Sequence, residues 1–260
     1  LGLQSGHLWV SNFLSEPPIG GEKSVSDDSD SLDVAAREVT ETVEVPTFYS
    51  GFEASDGAER CTWGYLELTD GASDDVLSSI NKVLRKEYED VKQETVNLKS
   101  LATVAGECTS YRSLLTCNRD GLLGTYVAQY RTNWGPHGWS EPHGHIFDLS
   151  TGRELEPWEV AGMSESELDD AAVEAIASYV MANPSDIAYA TEAEAQSAAR
   201  EELEYGEYLL TNDGIVASLP EYAMGYPYST GSLKIVAWAF DDPSLVGTNA
   251  IDRFAIDSSS

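Results

Sequence analysis

The sequence predicts an α+β fold: a mostly antiparallel sheet packed by two to three helices, divisible into two similar subdomains. Three observations carry this. β-type runs flank turn signals, Asn118-Arg119-Asp120-Gly121 and Asn212-Asp213-Gly214. Two longer stretches carry apolar residues at helical spacing. Strands and helices do not alternate strictly, which disfavours a doubly wound parallel sheet.

Residues 1–41 read as a flexible acidic tether. They hold Glu16-Pro17-Pro18, Gly20-Gly21 and the run Ser24-Val25-Ser26-Asp27-Asp28-Ser29-Asp30-Ser31, and bury too little apolar surface to offset the entropy of ordering. Order is expected from about Val43. Val43–Tyr49 reads as a strand, and Pro46 places it at a sheet edge. Thr62–Thr69 is a second strand. Ser73 is an N-cap candidate, with Asp74 and Asp75 in the first turn of a helix. Val76, Leu77, Ile80, Val83, Leu84, Tyr88 and Val91 form its apolar stripe. A hairpin of 110–117 and 122–131 follows, then a Gly/Pro-rich loop over 134–142. A strand over 143–149 completes an N-terminal subdomain, 42–149.

The C-terminal subdomain, 150–245, opens on a helix with the capping box Ser164-x-x-Glu167. Leu168, Ala172, Ala175, Ile176 and Val180 lie on its stripe, and Asn183-Pro184 ends it. Thr191 and Glu194 cap an Ala-rich helix running to about Tyr205. Tyr208–Thr211 and Ile215–Leu219 form a second hairpin, and Ser232–Phe240 a last strand. Residues 246–260 read as a tail.

Charge narrows the partners. Fifteen Lys and Arg against 45 Asp and Glu give a net charge of −30, which repels nucleic acid and anionic membrane surfaces. A cation-rich partner is attracted, most strongly at low salt. No run approaches the roughly 20 apolar residues of a membrane span. The chain opens at Leu1 without a signal-peptide pattern, and is expected to be a mature or truncated product, either secreted or held by an anchor that is not in this chain. Cys61, Cys108 and Cys117 form no metal-type pair. They fit one disulfide plus a thiol, or three thiols.

Two places carry candidate chemistry. His137, His143 and His145 follow H-x5-H-x-H spacing, and an extended 143–145 puts two imidazoles on one face. With His137 folded back they would make a three-histidine zinc set. Packed, hydrogen-bonded loop histidines beside Trp134 and Trp139 are the plainer reading, so no metal or other cofactor is expected. There is no nucleophile elbow, zinc-protease helix or phosphate loop. The second place is Pro220–Tyr228, with three tyrosines, two prolines and Glu221 in nine residues. Stiff loops bearing tyrosine suit protein docking. The same tyrosines could equally cover the end of a sheet.

Tyr208–Val216, Leu219-Pro220-Glu221-Tyr222 and Gly225 resemble a C-terminal domain found in RsiV-type anti-sigma factors and in some peptidoglycan deacetylases. Phe147-Asp148-Leu149-Ser150-Thr151-Gly152-Arg153-Glu154-Leu155 and Gly135-Pro136-His137-Gly138 are similar to further motifs of that family. Tyr65-Leu66 and Ile80-Asn81 look like its companion N-terminal domain. The resemblance spans about 43–240. Trp134 and Pro136 depart from it, standing where the family often has Gly and Ala.

The resemblance implies a bacterial, non-enzymatic, extracytoplasmic sensor or binding domain, like the one that receives lysozyme in RsiV-type proteins. Pro220, Glu221, Tyr222, Tyr226 and Tyr228 are then the expected partner-binding residues, with Trp134, His137 and Trp139 as a loop site. Two alternatives stand beside this: a module binding cell-wall glycan on Trp134 and Trp139, and a zinc-dependent hydrolase using His137, His143 and His145.

Overall fold

A computed structural model describes residues 34–48, 54–97, 107–132, 139–227 and 231–251. Most of the tether therefore lies outside the described residues. Its last part does not behave as one: β1 runs Ala35–Phe48 and pairs antiparallel with β2, Ala54–Asp70, from Ala35 opposite Asp70 to Phe48 opposite Ala54. Ordered structure thus starts eight residues before the expected Val43. The segment is polar, and its order comes from the backbone ladder and from Asn118, whose side-chain amide exchanges two hydrogen bonds with Val34, at 3.1 and 3.0 Å. β1 is the outer strand, which accommodates Pro46.

The chain then forms α1, Asp74–Asn97. Ser73 caps it, its carbonyl accepting from the Leu77 N–H at 2.9 Å. Asn81 pins the helix to β2, accepting from the Leu68 N–H at 2.7 Å and donating to the Leu68 carbonyl at 2.9 Å. The helix returns the chain to β3, Glu107–Arg119, which lies parallel to β2. β4, Leu122–Thr132, and β5, Trp139–Asp148, continue antiparallel, and the two-residue β6, Arg153–Glu154, ends a six-stranded sheet in sequence order. The expected 134–142 loop is shorter, because β5 begins at Trp139. In the β3–β4 turn Asp120 and Gly121 have φ of 52° and 75°, the doubly left-handed backbone of a tight hairpin.

One face of this sheet packs on α1. Ile80, Leu84 and Tyr88 are buried against Leu66, Leu68, Leu123 and Phe147 and against Trp63, Tyr111 and Val127.

Beyond β6 lie α2, Pro157–Ala161, α3, Glu165–Ala182, and α4, Glu192–Leu203. The Ser164–Glu167 capping box and the Thr191 cap form as expected. The five-residue α2 was not expected, although Pro157 at its first turn is a helix-start signal. β7, Glu207–Leu210, β8, Gly214–Ser218, and β9, Lys234–Ala239, make an antiparallel three-stranded sheet. Leu210, Ile215, Ala217, Ile235 and Ala237 face the helices, against Leu168, Ala172, Ile176 and Val180. Leu209, Val216 and Val236 face the other way, toward Tyr126 of β4.

The two sheets meet closely. A Cβ at Gly124 would lie 2.7 Å from the Leu210 carbonyl oxygen, and one at Gly144 would lie 2.6 Å from Leu209 Cδ2. These two glycines let β7 cross β4 and β5 at backbone range. At one end the two hairpin turns are tied, Arg119 donating to the Asn212 carbonyl at 2.7 Å.

The expected C-terminal tail is ordered as far as it is described. Residues 241–250 turn back along β9: Gly247 N–H donates to the Val236 carbonyl at 2.9 Å and Ala250 N–H to the Lys234 carbonyl at 2.7 Å. Ala250 is fully buried. The 241–245 turn is capped by Asp242, which accepts from the Ser244 N–H.

Candidate functional site

β5 positions both candidate places. His143, His145 and Phe147 project from the same face, opposite Val127, Thr125 and Leu123 of β4, toward α1. The two imidazoles meet edge to face at 5.0 Å, and His145 stacks on Phe147 at 5.6 Å. His137 lies outside the described residues, so the three-histidine set is not seen. In its place α1 supplies Glu87.

The arrangement has a consistent polarity. His145 Nε2 is 2.9 Å from Glu87 Oε2, and His143 Nε2 is 3.8 Å from Glu87 Oε1. On the opposite ring edges, His145 Nδ1 is 2.5 Å from Glu154 Oε1, and His143 Nδ1 is 3.7 Å from Glu207 Oε1. Each imidazole is therefore held between an outer carboxylate and the shared, inner Glu87. The His145 side chain is 9% exposed and that of His143 45%, so the cluster opens to solvent on the His143 side. Burial opposes charge on His145, but its hydrogen bonds to Glu87 and Glu154 prevail and its pKa lies above the ordinary value. The His143 pKa is raised by the Glu207 contact first, against desolvation.

Glu87 is the residue that sequence reasoning missed. It is one acid among 45. Yet it falls three residues after Leu84 and four before Val91, inside the apolar stripe, and a carboxylate at a core-facing position is the signal that could have found it.

The turn after β8 is built differently. The Ala223 N–H donates to the Pro220 carbonyl at 3.3 Å and the Gly225 N–H to the Tyr222 carbonyl at 3.2 Å. Tyr222 and Met224 both have left-handed backbones, φ 67° and 56°. Met224 is buried and Ser185 donates to its carbonyl at 2.8 Å. Tyr222 is instead 50% exposed. Pro220 is half-buried. Glu221 accepts from the Ser140 N–H of β5 at 3.3 Å. Tyr226 does not join Tyr222 on the surface: it is half-buried against the end of α3, donating to the Asn183 carbonyl and lying 6.4 Å from the Tyr179 ring. Tyr228, Trp134 and the Trp139 side chain lie outside what the structure describes.

Lys234, the first residue of β9, is within electrostatic reach of Glu221 of the turn. It is 7% exposed, its ammonium 5.7 Å from the centre of the Tyr126 ring. Burial pushes its pKa down to about 8, while Glu221 pulls it up.

The Phe147–Leu155 motif is a turn rather than a site. Asp148 accepts from the Ser150 N–H at 2.7 Å and from the Ser150 and Thr151 hydroxyls at 2.6 and 2.9 Å, and the Ser150 bonds above all lower its pKa. Cys117 is fully buried, and burial pushes its thiol up to about 12, which leaves it unreactive at neutral pH. No helix among the described residues is long and apolar enough to cross a membrane.

No protein-family model matches the sequence, and no curated protein matches it. Solved structures do. A DUF3298 family protein from Pseudomonas aeruginosa PAO1 superimposes with a TM-score of 0.52 at 14% identity, over 86% of this chain and 98% of that one. A member of the same family from Bacteroides fragilis NCTC 9343 gives 0.50 at 15% identity, over 85% and 97%. The fold is that of the DUF3298 proteins. The α+β expectation is thereby met, with a six-stranded and a three-stranded sheet where similar subdomains were expected. In this DUF3298 fold β5 is the shared spine, touching the Tyr222 turn through Ser140 and carrying the imidazoles three and five residues on.

Proposed function

We propose that this chain is a non-enzymatic, extracytoplasmic binding domain that receives a cation-rich protein of the lysozyme type. The observation that carries the reading is the presentation of Tyr222. A large aromatic is held half exposed, in a strained left-handed conformation, on a turn fixed from both sides by Glu221–Ser140 and Met224–Ser185. A pre-ordered aromatic loses little entropy on docking and is the residue type on which binding energy concentrates. The charge of −30 supports the choice of partner, since it raises the encounter rate with a cationic surface. The anchoring narrows the expected contact set: Tyr222 is the anchor, Pro220 and Glu221 position it, and Tyr226 braces the turn.

The test is a salt series of binding to hen egg-white lysozyme, comparing wild type with Tyr222→Ala. Binding is expected at about 50 mM salt and should weaken as screening rises. Tyr222→Ala should cost about 2 kcal/mol, near thirtyfold in Kd. No binding by wild type at low salt would reject lysozyme as the partner. Equal binding by the variant would reject the turn as the docking site. Salt-insensitive binding to cell-wall glycan, with none to lysozyme, would replace the reading with the glycan module.

A further inference from the structure

We infer that Glu87, His143 and His145 form a binding site for a single first-row divalent metal ion of the zinc type, with Glu154 and Glu207 as its outer carboxylates. The three residues each offer one ligand atom, all within 4.8 Å of one another. A tetrahedral ion with bonds of about 2.0–2.1 Å needs ligand atoms roughly 3.4 Å apart. The Nε2-to-carboxylate separations of 2.9 and 3.8 Å bracket that spacing, and the half-exposed His143 ring has room to adjust.

The orientation of the rings is the stronger observation. A metal-ligating histidine characteristically gives its second ring N–H to a carboxylate, which fixes the tautomer and raises ligand basicity. His145 shows this arrangement with Glu154 at 2.5 Å, and His143 turns the same ring edge toward Glu207 at 3.7 Å, an ion-pair distance. Their Nδ1 edges face Glu154 and Glu207, and their Nε2 edges converge on one carboxylate. A pair of histidines serving only as counter-ions needs no such shared direction. Charge is compatible with an ion: with three carboxylates around two imidazoles, a divalent ion on neutral rings leaves the same single excess negative charge as two protonated rings.

The ligands come from α1 and β5, so the ion would join the helix to the strand that supports the Tyr222 turn. His137 is not required. The solvent-open side beside His143 leaves room for water or an exogenous group as a further ligand.

The experiment is equilibrium binding of zinc, and of cobalt(II) as a spectroscopic probe, to the full chain stripped with chelator. It is run at about 150 mM salt with excess magnesium, which screens and competes for dispersed surface carboxylates. Wild type should take up a single ion saturably, show a tetrahedral cobalt band in the visible, and unfold at higher denaturant with zinc than without. Glu87→Gln and His143→Ala should each bind about 100-fold more weakly. Glu207→Gln, which keeps all three ligands, should lose about tenfold. Circular dichroism confirms that each variant is folded, and both ligand variants are at partly exposed side chains. Absence of saturable uptake by wild type would overturn the site. So would wild-type affinity in folded His143→Ala. Uptake that survives Glu87→Gln but is lost in His137→Ala would assign the ion to a three-histidine set and overturn this one.

Discussion

The Tyr222 turn and the Glu87–His143–His145 cluster touch the same strand but are made by opposite means. The turn takes its shape locally: six consecutive residues and backbone hydrogen bonds that close over three residues set its path, and Ser140 and Ser185 then tie it to the rest of the fold. The cluster is assembled from α1, β5, β6 and β7, and its groups are held by charge. A local device survives substitution around it, whereas an assembled one depends on every element that delivers a group. That difference can be tested at the junction the two share.

The largest effect is expected at Gly144. A methyl there would lie 2.5 Å from the Thr125 carbonyl oxygen of β4 as well as against Leu209 of β7, so β5 must shift from β4 and displace the Leu209 side chain. Gly144→Ala should lose about 3 kcal/mol in urea unfolding. It should also weaken zinc uptake, because Glu207 rides on β7. A variant within about 0.5 kcal/mol of wild type would show that the sheets are not pressed together here.

The next effect belongs to the turn side. The Lys234 pKa is depressed to about 8, so between pH 8 and 9 the unfolded chain holds the proton that the folded chain releases. Stability should therefore rise with pH in that window, by about 1 kcal/mol. The buried Cys117 thiol and the Tyr126 phenol, both raised to about 12, oppose this above pH 9. Subtracting the Lys234→Met curve isolates the lysine's share, since Cys117 and Tyr126 remain in both proteins. A pH-independent difference between the two curves would place the Lys234 charge in a solvated setting.

The smallest effect separates function from stability. Tyr222→Gly relieves a left-handed backbone and should stabilise the fold by about 0.5–1 kcal/mol, while removing the docking side chain. Loss of stability instead would mean that the Tyr222 side chain serves packing more than docking.

What the sequence made legible follows the same divide. The Asp120-Gly121 turn, the Ser164–Glu167 box and the Thr191 cap are set by neighbours a few residues apart, and each forms where its residues stand. The shared face of His143 and His145 follows from strand period two. Glu87 is 56 positions before His143, and nothing local joins them. The early start of β1 was hidden for a related reason: Ala35–Thr42 has little apolar character, and its order is supplied by β2. Residues 246–251 read as tail because they form no regular element of their own, and the bonds that set their course, from Gly247 and Ala250, go to β9.

That returning segment has a consequence for how the molecule behaves among its copies. A sheet border with open amides and carbonyls is a template on which another chain can add a strand. Through Val236, Gly247 and Ala250, residues 241–250 occupy the outer side of β9. They serve as a selvedge: clipped away after Phe240, the protein would keep its helices and imidazoles and acquire a tendency to polymerise.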